Sequence, residues 1–195
     1  MINYDLNKIE RPLFIILLLL IISNLSLIHK VVSQSKKIDS LNFESMLNSI
    51  EVDHVDNKFP EFEMKDLNGN IYSRDSCFSE GKPVMFVYFS PSDCGTCLLE
   101  RVLWQKISNS GIVNVFTITS HNRKEVTQWV NQVDIGLPVL YDSGSKIATS
   151  LNLKTTPVKI LVDNQYNVLF IDKNIYFYPK SQKLFQKMLL KYVNE

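Results

Sequence analysis

Two cysteines that directly follow a buried-strand pattern are the feature that most limits how this chain folds. Residues 84–89 form an unbroken apolar run of mostly β-branched and aromatic residues, typical of a central strand buried on both faces. A short loop leads from this run to Cys94 and Cys97, and residues 94–107 indicate a helix that begins at the first cysteine. A buried strand followed at once by a helix is typical of an α/β fold.

Strand and helix patterns alternate through the remainder of this region. An Asn-Gly pair at residues 68–69 predicts a hairpin. Further strands are predicted at residues 112–119, 138–141, 158–162 and 168–171, and further helices at residues 123–133, at residues 145–151 and from Pro179 or Ser181 onward. The last two strands are joined by a short turn-prone segment and should pair as an antiparallel hairpin. We therefore expect an α/β sandwich with a central mixed sheet flanked by helices.

An apolar segment near the N-terminus predicts a transmembrane anchor. Residues 13–22 carry no polar side chain, and residues 12–29 reach roughly the 17 residues that a spanning helix needs. No small-residue cleavage pattern follows the segment, which disfavours the alternative of a cleaved signal peptide. A second alternative, a buried soluble helix, would normally show a polar face.

The predicted organisation of the chain depends on this anchor. The divisions are a short tail at residues 1–11, the anchor at 12–29, a tether at 30–57 and the α/β domain at 58–195. Basic residues flank the apolar segment almost equally on both sides, so charge does not decide the orientation. Because a first hydrophobic segment usually exports the polypeptide on its C-terminal side, we expect a single-pass protein with its domain in the periplasm or at the cell surface.

Charge and cysteine content exclude two classes of protein. The 195 residues include 21 Lys and Arg against 20 Asp and Glu, with no basic stripe, so a nucleic-acid partner is not expected. Three cysteines are too few for a disulfide-stapled scaffold. The lone Cys77 is expected to be a small core or loop residue, with a third redox thiol as the alternative.

The spacing of Cys94 and Cys97 predicts a redox dithiol. A helix N-terminus offers unpaired N–H groups and the positive end of the helix dipole, which should lower the pKa of Cys94 and favour its thiolate. Cys97 lies three residues further, about one turn away on the same face. We therefore expect Cys94 to attack a disulfide and the more buried Cys97 to resolve the mixed disulfide that results.

Other uses of a Cys-x-x-Cys pair remain open from the residues alone. A zinc site needs a second pair or two histidines at ligand spacing, and His29, His54 and His121 are far apart along the chain. Two inert core cysteines are the other alternative. The strand–loop–cysteine–helix order favours the redox pair, with no metal and no other cofactor.

Several short motifs, in a specific order, carry a resemblance to a known family. Residues 58–195 resemble thioredoxin-like proteins, in particular TlpA-type membrane-anchored thiol–disulfide oxidoreductases. The matching pieces are Pro60-Glu61-Phe62, Asp66-Leu67-Asn68-Gly69, Gly81-Lys82-Pro83-Val84, Cys94-Gly95-Thr96-Cys97, Leu137-Pro138-Val139-Leu140-Tyr141-Asp142 and Thr156-Pro157-Val158.

The resemblance implies roles for residues around the cysteine pair. It implies that Pro157 is cis and lies against the disulfide, while Thr156 offers its backbone to an extended client; a plain trans proline is the alternative. Gly95 and Thr96 are the two residues between the cysteines of the motif. Glu100 matches a family glutamate that serves in proton transfer, and an exposed carboxylate without a role is its alternative. The implied partners are protein thiol or disulfide clients and a redox partner protein.

The chain departs from the family in three ways, one of which is that the pair between the cysteines, Gly95-Thr96, contains no proline. Asp93 stands where the family usually has a tryptophan, and a carboxylate there would raise the pKa of Cys94 by like-charge repulsion. Tyr88 stands where many thioredoxins have a buried acid. These differences leave the direction of electron flow open.

Two competing functions remain. A peroxiredoxin-like peroxidase shares the fold, but its Pro-x-x-x-Thr-x-x-Cys loop does not match the spacing that begins at Pro91. A copper-delivery module would use two thiolates for soft Cu(I), and usually has wider cysteine spacing and a ligand histidine.

Overall fold

The computed structural model describes residues 18–35, 37 and 58–194, and the chain divides into two compact units, Met1–Ser49 and Ile50–Glu195. In the first unit, helix α1 (Leu18–Ser35) has a mean hydropathy of 1.3 and exposed side chains. Length and composition would let it cross a membrane, and a signal sequence would meet the same criteria. The helix includes residues 30–35 of the predicted tether; residues 12–17 of the predicted anchor and 38–57 of the tether lie outside the described residues.

The second unit is built on a mixed five-stranded sheet with the strand order β5-β4-β3-β6-β7. Strands β3, β4 and β5 are parallel to one another, whereas β6 is antiparallel to β3 and to β7. A separate antiparallel hairpin is formed by β1 and β2. The strands are β1 (Glu63–Lys65), β2 (Ile71–Ser73), β3 (Val84–Tyr88), β4 (Asn114–Thr119), β5 (Val139–Tyr141), β6 (Val158–Val162) and β7 (Val168–Asp172).

Helices fill the connections between these strands. They are α2 (Arg74–Cys77), α3 (Cys94–Ser110), α4 (Arg123–Val133), α5 (Lys146–Ser150) and α6 (Pro179–Asn194), and a short 3-10 turn, Pro91–Asp93, precedes α3. Asn122 caps α4, since its side chain accepts a hydrogen bond from the N–H of Lys124 at 2.8 Å. The mixed sheet flanked by helices confirms the predicted fold class.

A mainly aromatic and aliphatic core packs against one face of the sheet. On this face Phe59 stacks on Phe86 with ring centroids 4.4 Å apart, and Phe62 meets the same ring edge-on. Alternate residues of β3 and β6 point into this core, which leaves Val87 and Lys159 facing the opposite side of the sheet. On that side Lys159 meets residues of α3 and α6.

The structure confirms the order of the predicted strands and helices, with differences at their ends. Strand β4 begins at Asn114 rather than at residue 112, and α3 continues to Ser110. The short helix α2 was not predicted, because only a four-residue segment adopts it. Its signal was the capping box in which Ser73 and Ser76 exchange side-chain to backbone hydrogen bonds.

Candidate active site

The cysteine pair lies at the edge of the sheet where the parallel strands β3 and β4 end. Strand β3 is buried along its whole length, and Phe89 and Ser90 continue it before the 3-10 turn. Helix α3 then begins at Cys94. The carboxyl ends of neighbouring parallel strands meet at one edge of a sheet, so loops that follow them converge there.

Cys97 occupies the first turn of α3 and is fully buried. Its Sγ lies 3.9 Å from the carbonyl oxygen of Ser90, in donor geometry for a thiol. Gly95 is exposed and Thr96 is half-buried, so the motif is more accessible to solvent at Gly95 than at Thr96. The side chain of Cys94 lies outside the described atoms, and its predicted role stays a prediction.

The register of the sheet brings Pro157 to the same edge. Tyr88 pairs with Val158 across the antiparallel ladder, so one further step of this register sets Pro157 opposite Phe89. The Thr156–Pro157 peptide bond is cis, as the resemblance implies, and Pro157 is buried while Thr156 is half-buried. A loop about 60 residues beyond the cysteines therefore flanks the strand that leads to them.

Glu100, one turn after Cys97, is the end of a buried charge cluster rather than an exposed helix residue. Its two carboxylate oxygens lie 3.2 and 3.3 Å from Nζ of Lys159, and both side chains are fully buried. The N–H of Tyr176 donates to the same carboxylate at 2.7 Å. Nζ of Lys159 also lies 3.4 Å from Asp172 and donates to the carbonyl oxygen of Asn174.

Burial controls the ionisation of Glu100. Loss of water around the carboxylate raises its pKa above the usual value, while the charge and hydrogen bonds of Lys159 and the N–H of Tyr176 oppose that rise. Asp172 adds a second negative charge nearby and pushes the pKa of Glu100 up further. The cluster thus holds two carboxylates against one ammonium group, and the pKa of Glu100 stays above its ordinary value.

A second polar network lies on the other side of the cysteine loop. Ser90 Oγ is 2.7 Å from Nε2 of His121, and Ser92 Oγ is within hydrogen-bond distance of Ser90 Oγ. Nδ1 of His121 lies 3.8 Å from Oε2 of Glu125 on α4. The parallel register, in which Tyr88 pairs with Ile118, explains why a residue in the loop after β4 reaches Ser90.

Tyr88, which replaces a buried acid of many thioredoxins, is bonded to a different partner. Its hydroxyl donates to Oδ2 of Asp142 at 3.2 Å in the core. Burial is the largest cause that raises the pKa of Tyr88. This position therefore supplies a neutral hydroxyl to the core rather than a titrating carboxylate beneath the cysteines.

Cys77 is a core residue and is not part of the Cys94–Cys97 pair. It is 1% exposed, in agreement with the expected core position, and burial raises its pKa to about 12. A thiol with that pKa remains protonated at neutral pH and is a poor nucleophile. Within the part of the chain that the structure describes, no three His, Cys, Asp or Glu side chains gather as a metal site.

Sequence reasoning missed Lys159, Asp172, Ser90 and His121 as members of these networks. The sequence does contain a signal for Lys159, because a lysine within the apolar run of β6 needs a buried counter-charge. The partnership of Ser90 with His121 had no local signal, since it depends on the pairing of two strands.

Solved structures share this architecture. A candidate thiol:disulfide interchange protein DsbE from Chlorobium tepidum is 17% identical, with a TM-score of 0.61, and the alignment covers 74% of this chain and 99% of that one. The exposed lipoprotein thioredoxin of Streptococcus pneumoniae is 21% identical, with a TM-score of 0.56 and coverage of 68% and 99%. A secreted disulfide oxidoreductase of Mycobacterium tuberculosis, homologous to Escherichia coli DsbE, is 18% identical, with a TM-score of 0.52 and coverage of 68% and 94%.

At these identities the likeness concerns the fold, and it confirms the thioredoxin-like class. No curated protein sequence matches the chain. Residues 55–172 match the AhpC/TSA family, more than half of the 195 residues. The chain therefore belongs to the AhpC/TSA family.

Proposed function

We propose that the chain is a thiol–disulfide oxidoreductase, of the TlpA type, that exchanges disulfides with protein clients through Cys94 and Cys97. The observation that carries the proposal is the position of the pair at the start of α3, with Cys97 buried and the cis Thr156–Pro157 bond at the same sheet edge. A helix start favours the thiolate of the first cysteine. The buried second cysteine is protected from outside disulfides and reacts with a partner that is already attached.

The reaction proceeds in two exchanges. The Cys94 thiolate attacks one sulfur of the client disulfide, forms a mixed disulfide, and releases the other client sulfur, which takes a proton. Cys97 then loses its proton and attacks Cys94, which forms the Cys94–Cys97 disulfide and releases the second client thiol. Two electrons pass to the client, and a redox partner protein must return two electrons for another cycle. The reverse sequence oxidises a client dithiol.

Supporting residues act on the client and on the proton of Cys97. Glu100 is buried one turn beyond Cys97, and its raised pKa suits a group that accepts and returns a proton as Cys97 attacks. Thr156 would pair its backbone with an extended client segment, in the manner of an added strand. Gly95 is exposed, which leaves room for a client beside the motif.

The names of the three similar structures and the character of α1 support the wider proposal. All three names denote thioredoxins or disulfide oxidoreductases, one as secreted and one as an exposed lipoprotein. Helix α1 is long and apolar enough to hold the chain in a membrane as a single-pass anchor. We place the domain outside the cytoplasm, where disulfides in client proteins persist.

The test is reduction of insulin disulfides by the full-length chain in detergent, with a thiol reductant to regenerate it. Cys94→Ser should abolish the reaction, because no attacking thiolate remains. Cys97→Ser should accumulate a mixed disulfide, and mass spectrometry of trapped clients identifies the substrate. Cys77→Ser is the matched control and should retain wild-type activity.

Two outcomes would contradict the proposal. Full insulin reduction by Cys94→Ser would remove the cysteine pair from the reaction. Rapid turnover of hydrogen peroxide that needs Cys94, together with negligible disulfide reduction, would favour a peroxidase instead. Equilibration of the pair with a glutathione buffer then measures its reduction potential and decides the direction of exchange.

A further inference from the structure

A hydrogen-bonded chain runs from the cysteine loop to a histidine that the proposed reaction does not yet use. Ser90 is 5% exposed, and its hydroxyl lies 2.7 Å from Nε2 of His121. Ser92 Oγ reaches the same Ser90 hydroxyl. On the far side of the ring, Oε2 of Glu125 lies 3.8 Å from Nδ1. Four side chains from three segments therefore form one continuous line, which consists of Ser92, Ser90, His121 and Glu125.

The partners of the imidazole set the direction of these hydrogen bonds. A carboxylate near Nδ1 favours the tautomer with its proton on that nitrogen, which leaves Nε2 as an acceptor. The Ser90 hydroxyl then donates to Nε2, and its oxygen is available to accept the hydroxyl proton of Ser92. The oxygen of Ser92, which is exposed, is left with lone pairs to accept a proton from outside the line.

This line of hydrogen-bonded side chains lies beside the cysteine motif. Ser92 belongs to the 3-10 turn Pro91–Asp93, whose end runs directly into Cys94 at the start of α3. The carbonyl oxygen of Ser90 faces Sγ of Cys97 at 3.9 Å. Ser92, at one end of the line, is thus two residues before Cys94, the attacking cysteine. Ser90, the next residue in the line, contacts Cys97, the resolving cysteine.

We propose that Ser92, Ser90 and His121 form a proton relay that takes the thiol proton of Cys94 before Cys94 attacks a client disulfide. This proposal rests on the proposed function and deepens it. The S–H bond of Cys94 breaks as its proton passes to Ser92, the proton of Ser92 passes to Ser90, and that of Ser90 forms the new N–H bond at Nε2. The products are a thiolate and an imidazolium ion, and no electrons change hands.

Glu125 stabilises the imidazolium that the relay creates, in the way a carboxylate orients and supports a general base. Among the charged side chains in the described part of the chain, Glu125 is the one within ion-pair distance of His121. Arg123 on the same helix is turned away, and donates to the carbonyl oxygen of Leu67 at 2.7 Å. His121 acts through two serines, so it is a positioning residue rather than one that touches the client.

The test is the rate at which iodoacetamide alkylates Cys94, measured from pH 5 to pH 9 on the full-length chain carrying Cys97→Ser. Peptide mapping assigns the modified residue. With His121→Ala, the rate at pH 7 should fall at least tenfold, and the midpoint of the pH profile should move up by at least one unit. Added imidazole should restore part of the rate to His121→Ala and none to Ser92→Ala, in which the line is broken before the histidine.

Matched variants separate the relay from a general disturbance of the loop. Ser120→Ala removes a hydroxyl next to His121 that bonds to Tyr88 and lies outside the line, and should leave the profile unchanged. Superimposable profiles for His121→Ala and the parent would overturn the relay, as would an equal loss at every pH without rescue by imidazole. Alkylation needs no disulfide client, so a failure of the relay is distinguishable from a failure in the insulin assay.

Discussion

A lysine lies in the middle of a strand that is buried along its whole length. Lys159 is fully buried in β6, a strand whose other members are apolar. Such a charge is tolerated only with close partners, and Glu100, Asp172 and the carbonyl of Asn174 provide them. The same side chain therefore has a structural task and opposes the rise that burial causes in the pKa of Glu100, one turn after the resolving cysteine.

Lys159→Met should destabilise the fold by about 3–5 kcal/mol at pH 8, because two buried carboxylates lose their counter-charge. The pKa of Glu100, already raised by burial, rises further without the ammonium group. The folded variant then holds a proton that the unfolded chain lacks, so its stability increases as the pH falls and the deficit shrinks near pH 5.

Urea unfolding of both proteins at pH 8 and pH 5 measures this deficit. Lys154→Met, at an exposed position, is the control and should change stability little. In Glu100→Gln combined with Lys159→Met, part of the loss should return, since one negative charge has gone. A deficit that is small, or that does not change with pH, would show that the cluster is not ionised as described.

At the scale of secondary-structure elements, Asp142 joins the central strand to a helix that lacks its own cap. The N-cap residue of α5, Ser145, makes no side-chain cap bond. Instead Oδ2 of Asp142 accepts the N–H groups of Ile147 at 3.0 Å and Ala148 at 3.3 Å, together with the hydroxyl of Tyr88. One buried carboxylate thus fixes α5 against β3, the strand that leads to the cysteines.

Asp142→Ala should lower the free energy of unfolding by about 2–3 kcal/mol, because buried donors lose a charged acceptor. Tyr88→Phe removes only one of the three bonds and should cost about 1 kcal/mol. Urea unfolding at neutral pH measures both losses. Equal losses in the two variants would mean that the N–H groups of α5 do not depend on Asp142.

For the whole molecule, the proposed function joins an apolar N-terminal helix to a redox domain. Helix α1 belongs to the first of the two compact units, and the thioredoxin-like domain belongs to the second. A domain held at a membrane by a single span meets clients and a redox partner that share its compartment. This arrangement requires that α1 remain part of the mature protein. A signal sequence would instead be removed by cleavage.

The full chain should stay in the membrane pellet after an alkaline carbonate wash, with its N-terminal segment intact by mass. Replacing Leu19 and Leu20, which lie near the centre of the anchor predicted at residues 12–29, by Arg should release it, because each charge at the centre of a span costs about 2.5–3.5 kcal/mol. Replacing the same two residues by Ile is the matched control and should keep the chain in the pellet. A soluble product that begins after α1 would indicate a signal peptide, and a reporter after Glu195 that is active in the cytoplasm would reject the orientation.

Much of the fold was readable from local patterns. The apolar run of β3 and the strand and helix patterns that follow it each predicted their own element, and the sheet confirmed the mixed class. These predictions succeed because period, capping and turn chemistry act over a few residues.

By itself the sequence determined the class of fold, the order of its elements and the cysteine pair at a helix start, because each depends on residues close together along the chain. Only the tertiary structure decided that Glu100 is buried against Lys159, and that His121 reaches Ser90. Those contacts join segments 59 and 31 residues apart. Their physical cause is the pairing register of the sheet and the face on which each helix packs, and neither property is written in a local pattern.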